Sequence, residues 1–172
     1  MARVPYTNLL EEALEAWGWA RDGVIAEVRN LPARALDFRP TPEMRSVREL
    51  VVHIVENSCM MVGELTRPDG DFTRKSYAAL VREHTRGLPR PRSKSQCVAL
   101  LRATYRDGAR RFKAAGEILM LQTIRRFDGL PGTRLAWLYH GIAHEEYHRA
   151  QLAVYARLLG RVPALTKAIE GG

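Results

Sequence analysis

Between Leu9 and Val28 the apolar residues Leu9, Leu10, Ala13, Leu14, Trp17, Val24, Ile25 and Val28 return every three or four positions, and the same spacing recurs in three further long stretches. That is the period of an α-helix with one face turned to a core, and no segment alternates convincingly with the period of two that a half-buried strand needs. For 172 residues the pattern predicts an all-α chain, a single-domain four-helix bundle over residues 1–172.

Local signals place the ends. The first helix is expected from Thr7 to Asn30, with Glu11, Glu12 and Glu15 near its positive end and Leu31-Pro32 closing it. Pro40 and Pro42 make residues 37–43 an extended connection. Ser46-Val-Arg-Glu49 is a capping box opening a second helix that runs to Leu65, where Arg67-Pro-Asp-Gly70 turns the chain. A short helix is expected over Lys75 to Thr85, and Gly87-Leu-Pro-Arg-Pro91 breaks it. A third long helix runs from Ser93 or Ser95 to Leu121, and Gly129-Leu-Pro-Gly132 is a loop. Thr133 caps a last helix reaching Leu159, closed by Gly160 and Pro163.

Composition excludes several classes. No apolar run approaches the ~18–20 residues of a membrane span, and Met1-Ala-Arg-Val-Pro5 lacks the apolar core of a secretory signal. Cys59 and Cys97 form no metal-binding or disulfide spacing; both read as buried thiols, which suits a reducing, cytoplasmic setting. The net charge of +8 is unevenly spread: residues 1–73 carry 8 basic and 12 acidic groups, residues 74–126 carry 14 and 3, and residues 127–172 carry 5 and 4. In the basic segment Arg102, Arg106 and Arg110 recur every four residues. The stripe suits an anionic small molecule or a self-association face better than nucleic acid, since no nucleic-acid motif accompanies it and only Tyr105 and Phe112 offer stacking rings.

The chemistry sits on the last helix. His140, His144 and His148 are spaced four and four, so they fall within about 40° either side of His144 on a helical wheel. Trp137, Tyr155 and Leu152 share that side, while Glu146, Arg149 and Arg157 fall opposite, so the histidines are expected to face the interior. Two imidazoles one turn apart place two ring nitrogens on one metal ion. Residues 144–148 also match the HExxH pattern of zinc proteases, with Glu145 as general base. Against that, no HxxGxxH continuation follows, the nearest downstream carboxylate is Glu170 in a tail expected to be mobile, and no strand is available to bind a peptide. The simpler role for Glu145 is an i,i+4 pair with Arg149. A third metal ligand is left open among His53, His84, His140 and the carboxylates of the second helix. His53 lies at the margin of that helix's apolar stripe, among Glu49, Glu56, Asn57 and Glu64, and His84 is expected to be solvated.

The run His144-Glu-Glu-Tyr-His148-Arg-Ala-Gln151-Leu152, ending Tyr155-Ala-Arg-Leu-Leu-Gly160-Arg-Val-Pro163, resembles the closing helix of the DinB/YfiT-like metal-binding bundles. Ser46-Val-Arg-Glu-Leu-Val-Val-His53-Ile-Val-Glu56 resembles that family's second helix, and the likeness extends over essentially the whole chain. Ala150 departs from it, standing where the family usually has glycine. The resemblance implies an up-down-down-up bundle and His53, His144 and His148 as ligands of a divalent zinc, nickel or manganese ion. It leaves His140, Glu145 and Asn57 as groups that support the ligands or line the site. It further implies a homodimer and, as in relatives that use bacillithiol or mycothiol, a metal-dependent S-transferase that activates a small thiol. The alternatives are a water-activating hydrolase and a non-catalytic, stress-related protein whose metal only pins two helices.

Overall fold

The computed structural model describes residues 6–171; Met1 to Pro5, where no secretory core is expected, lie outside the described residues. Four long helices carry the fold: α1 (Leu9–Asn30), α2 (Val47–Leu65), α4 (Lys94–Leu121) and α5 (Arg134–Leu158). Two short ones, α3 (Tyr77–His84) and α6 (Ala164–Glu170), pack on them. No helix of the described residues is long and apolar enough to cross a membrane.

The caps are those the side chains dictate. Ser46 and Glu49 close a reciprocal capping box on α2, and Asn8, Ser76, Ser93 and Thr133 accept from the first turns of α1, α3, α4 and α5; each such cap is worth about 0.5–2 kcal/mol. Long-range hydrogen bonds fix the directions. The amide of Leu9 meets Glu117 and Lys94 meets the carbonyl of Leu31, so α1 and α4 are antiparallel. Trp17 and Arg21 meet Glu145, while Leu165 beyond α5 meets Glu27, so α1 and α5 are parallel. Arg111 reaches Thr66 past the end of α2, which makes α2 and α4 parallel. The long helices therefore run up, down, down, up, with α1 packed on α4 and α5 and α2 packed on the same two.

The core is two apolar clusters, one around Val24, Leu50, Ile54 and Leu101 and the other around Leu14, Trp17, Met60 and Phe112, and Arg21 and Glu145 are buried with them. Four sequence expectations need correction. A two-stranded antiparallel hairpin, β1 (Thr123–Arg125) and β2 (Pro131–Thr133), joins α4 to α5 where only a loop was expected; three-residue strands are too short to show alternation. The tail, expected to be mobile, forms the helix α6, which lies on α1 with Lys167 donating to Asn30 at 2.7 Å. The helix α4 is interrupted at Gly116, whose φ of +80° no side-chain-bearing residue readily adopts. Cys97 is buried and free, but Cys59 is only half-buried.

Candidate metal centre

Two polar pins hold α2 and α5 in register. At one end the Tyr155 hydroxyl donates to the carbonyl of Arg45 at 2.7 Å. At the other, the buried Arg134 guanidinium caps the C-terminus of α2 by donating to the carbonyls of Leu65, Arg67 and Pro68 at 2.9, 2.7 and 3.1 Å. Counted from the Arg45–Tyr155 pin, His53 lies eight residues along α2 and His148 seven residues back along α5, about 11–12 Å in each case. Antiparallel packing thus sets them face to face, and the next turns bring Asn57 opposite His144.

Three imidazoles converge there. Nε2 of His144 lies 3.1 Å from Nε2 of His53 and 3.1 Å from Nε2 of His148. The far nitrogens are engaged: Nδ1 of His148 donates to Oε1 of Gln151 at 2.7 Å, and the Asn57 amide lies 3.2 Å from Nδ1 of His144. The Tyr77 hydroxyl in turn donates to Asn57 at 3.3 Å. Because His148 spends its one N–H on Gln151, its Nε2 presents a lone pair inward. With that lone pair turned inward, an N–H on either His144 or His53 bridges one close pair and leaves a third inner nitrogen without a donor. A cation at their centre satisfies all three, and two nitrogens bound tetrahedrally to zinc stand roughly 3.3 Å apart, close to the separation seen. The donor set fits a divalent ion, and all three ligand atoms lie within 4.8 Å of one another.

The surroundings keep the rings uncharged. Burial pushes His53 down to about 4, helped by the positive charge of Arg45 and by the neighbouring His148, with which a second proton would be repelled. Burial, then the neighbouring histidines, pushes His144 down to about 3. Burial lowers His148 too, against the Gln151 hydrogen bond, which raises it. His148 is buried while His53 and His144 are half-buried, so the cluster opens on one side. It opens onto a depression of about 430 Å³ that His53 shares with Arg45, Arg48 and Arg90, and another of about 480 Å³ lies beside Arg45, Gln151 and Tyr155. Arg45 borders both and is exposed, and its neighbouring carboxylates Glu49, Asp37 and Glu56 are taken by Arg39, Arg48 and Arg90.

The other candidates lie elsewhere. His140 is exposed, its ring 4.7 Å from that of Trp137, and it is not among the converging three. Glu145 does not pair with Arg149 and does not face the histidines. It is buried against α1, accepting from Trp17 at 2.6 Å and from Arg21 at 2.5 and 2.8 Å, so the HExxH carboxylate has no reach to a metal ligand. Arg149 is likewise buried rather than facing solvent; it pairs with Glu146, and its guanidinium sits 4.6 Å over the Trp19 ring. Arg102 and Arg106 line a shallow depression with Asp22 and Ile25, away from the histidines, and Arg110 pairs with Asp107. His84, expected in solvent, is half-buried with Nε2 2.5 Å from Glu64. Glu64, Glu83 and His84 form a second close cluster, but the Arg74 guanidinium fills the place of a cation there, donating to Glu64 at 2.9 and 2.5 Å and to Glu83 at 2.8 Å. Sequence reasoning missed Arg45, for which no pattern exists. It also gave no role to Gln151, although a side chain three residues after His148 on the same helix is within reach of its ring.

A family model described as the DinB family matches residues 6–170. Among solved structures, the DinB-like protein YjoA from Bacillus subtilis is similar, with a TM-score of 0.67 at 17% identity, covering 88% of this chain and 93% of that chain. YfiT from Bacillus subtilis, described as "a probable metal-dependent hydrolase with an unusual four-helix bundle topology", has a TM-score of 0.67 at 14% identity, covering 94% of each chain. At these identities the likeness establishes the shared fold. No curated protein sequence matches the chain significantly.

Proposed function

Because the chain belongs to the DinB family, we propose that its converging imidazoles hold one divalent ion and that the protein is a metal-dependent enzyme acting on a small anionic ligand, with a low-molecular-weight thiol as the leading class. The observation that carries this is the convergence of three Nε2 atoms, that of His144 lying 3.1 Å from each of the other two, with the outer nitrogen of His148 bound to Gln151. His53, His144 and His148 supply three neutral ligands, as open catalytic sites do, and the remaining side faces the depression shared with Arg45. The ion's contribution there is to acidify a thiol or water that shares its coordination.

The chain's own residues do the rest. Gln151 and the Asn57–Tyr77 pair orient the rings, and such partners typically account for about 10–100-fold in metal affinity. Arg45, which has no ion-pair partner among the described residues, draws an anionic ligand to the lip of the site. The half-buried faces of His53 and His144 favour an exchangeable position over a sealed structural ion. Burial pushes the Cys59 thiol up to about 11 and raises that of Cys97, which disfavours the thiolate that a nucleophile needs.

YfiT's description as a probable metal-dependent hydrolase supports a second reading, in which water takes the open position. In this chain such a reaction lacks Glu145 as base, because Arg21 and Trp17 hold both its oxygens. The two readings separate in one assay of the metal-loaded protein: loss of bacillithiol in the presence of a model electrophile supports S-transfer. Ester or amide cleavage without thiol consumption supports hydrolysis.

A further inference from the structure

A cavity of about 630 Å³ lies on the other side of the Leu88–Pro91 strap from the histidines. Its floor is the seam between α2 and α4, and the strap forms one wall. None of His53, His144 or His148 lines it, although Arg90 and Pro91 wall both this cavity and the depression at His53. Val62, Leu88, Leu100, Ala103 and the half-buried Cys59 give it an apolar surface. It runs along α4 from Gln96 to Arg111, about 22 Å of helix. Both its size and its lining belong to the small-molecule class, whose sites are apolar clefts of roughly 300–1,000 Å³ with a few polar groups.

The charges around it are not equivalent. Arg90 is paired with Glu56, and Asp107 with Arg110. Arg111 is half-buried at one end of the groove and donates only to the Thr66 hydroxyl, at 3.0 Å, with no carboxylate partner among the described residues. A half-buried guanidinium with donors to spare at the end of an apolar trough is matched by an elongated apolar molecule bearing one anionic group. We propose that this α2–α4 cavity is a second ligand site, separate from the histidine centre, for a medium-chain or arylalkyl monoanion whose charged end pairs with Arg111.

The test uses the metal-loaded full chain and two probes, anionic anilinonaphthalene sulfonate and neutral phenylnaphthylamine, each displaced with decanoate. Saturable binding of both is expected. Ala103→Trp fills the groove from an exposed position of α4 and is expected to abolish binding of both probes, with Ala99→Trp as the equivalent change one turn earlier. Arg111→Met is expected to weaken the anionic probe about tenfold or more, the size of a lost charge-assisted bond, and to leave the neutral one within about twofold. His53→Ala should change neither. Decanoate should also slow alkylation of Cys59, which borders the cavity. Unchanged binding in folded Ala103→Trp and Ala99→Trp proteins, equal weakening of both probes by Arg111→Met, or loss of binding in His53→Ala overturns the proposal. So does loss of probe binding in step with dimer formation as the protein concentration rises, with probe titration and light scattering read on the same samples.

Discussion

Arg21 grips Glu145 through Nε and Nη2 at 2.8 and 2.5 Å in the middle of the bundle, both side chains almost wholly buried, one residue from His144. The same guanidinium donates to the Leu101 carbonyl, Thr104 and Ser58, and Trp17 donates to the carboxylate. One polar knot thus ties all four long helices and turns Glu145 away from the histidines. Such a pair is costly to break, because the abandoned charge stays buried. Glu145→Ala is expected to destabilise the protein by about 3–5 kcal/mol in urea unfolding. The double change Arg21→Met/Glu145→Leu should recover most of that loss. If the single change were neutral, the knot would not be structural.

Gln151 fixes the proton of His148 on Nδ1, leaving Nε2 to face the cluster. Gln151→Ala is expected to lower affinity for zinc about 10–100-fold and to leave the unfolding midpoint of the metal-free protein nearly unchanged. Competition with a zinc chelator measures it. Equal affinities in the two proteins would remove Gln151 from the account.

Stability of the metal-free protein should depend on pH in a defined window. An unfolded histidine titrates near 6.5, while His53 and His144 in the fold are pushed down to about 4 and about 3. Between those values the unfolded chain binds more protons, so stability is complete above about 6.5 and falls as the pH drops toward 4 and then 3. Urea midpoints from pH 7.5 to 4.5 should decline more steeply for the natural sequence than for His144→Asn. Identical profiles would contradict burial as the cause.

Gly116 tests the break in α4. A Cβ there meets nothing within 4 Å, so any cost of Gly116→Ala comes from its φ of +80° alone. The expected loss is about 1–3 kcal/mol, read from thermal or urea unfolding. A gain in stability would mean that α4 continues through this position.

The helices were legible because long periodic runs and side-chain caps are local signals: the Ser46–Glu49 box and the Thr133 cap stand where the sequence places them. His144 and His148 were legible from their spacing. His53 was selected by family resemblance, since it sits at the margin of its helix's apolar stripe. The facing of α5 was misjudged. A wheel centred on His144 puts the core side about 100° from where Leu138, Glu145, Leu152 and Ala156 place it, because Glu145, Arg149 and Arg134 are buried polar groups that a hydrophobicity pattern assigns to solvent. Arg45 and the Arg74 cluster depend on partners distant in sequence, which no local signal encodes. The excess charge of residues 74–126 is likewise partly spent on tertiary pairs, Arg74 with Glu64 and Arg90 with Glu56.

The convergence of His53, His144 and His148 is tested most directly by the metal content of the protein purified without an affinity tag or nickel column. Elemental analysis should find about one divalent ion per chain, lost in His144→Ala while the variant keeps its helical spectrum. A protein that neither carries an ion nor takes up zinc, nickel or manganese, or a His144→Ala variant that retains as much metal as the natural sequence, would contradict the account.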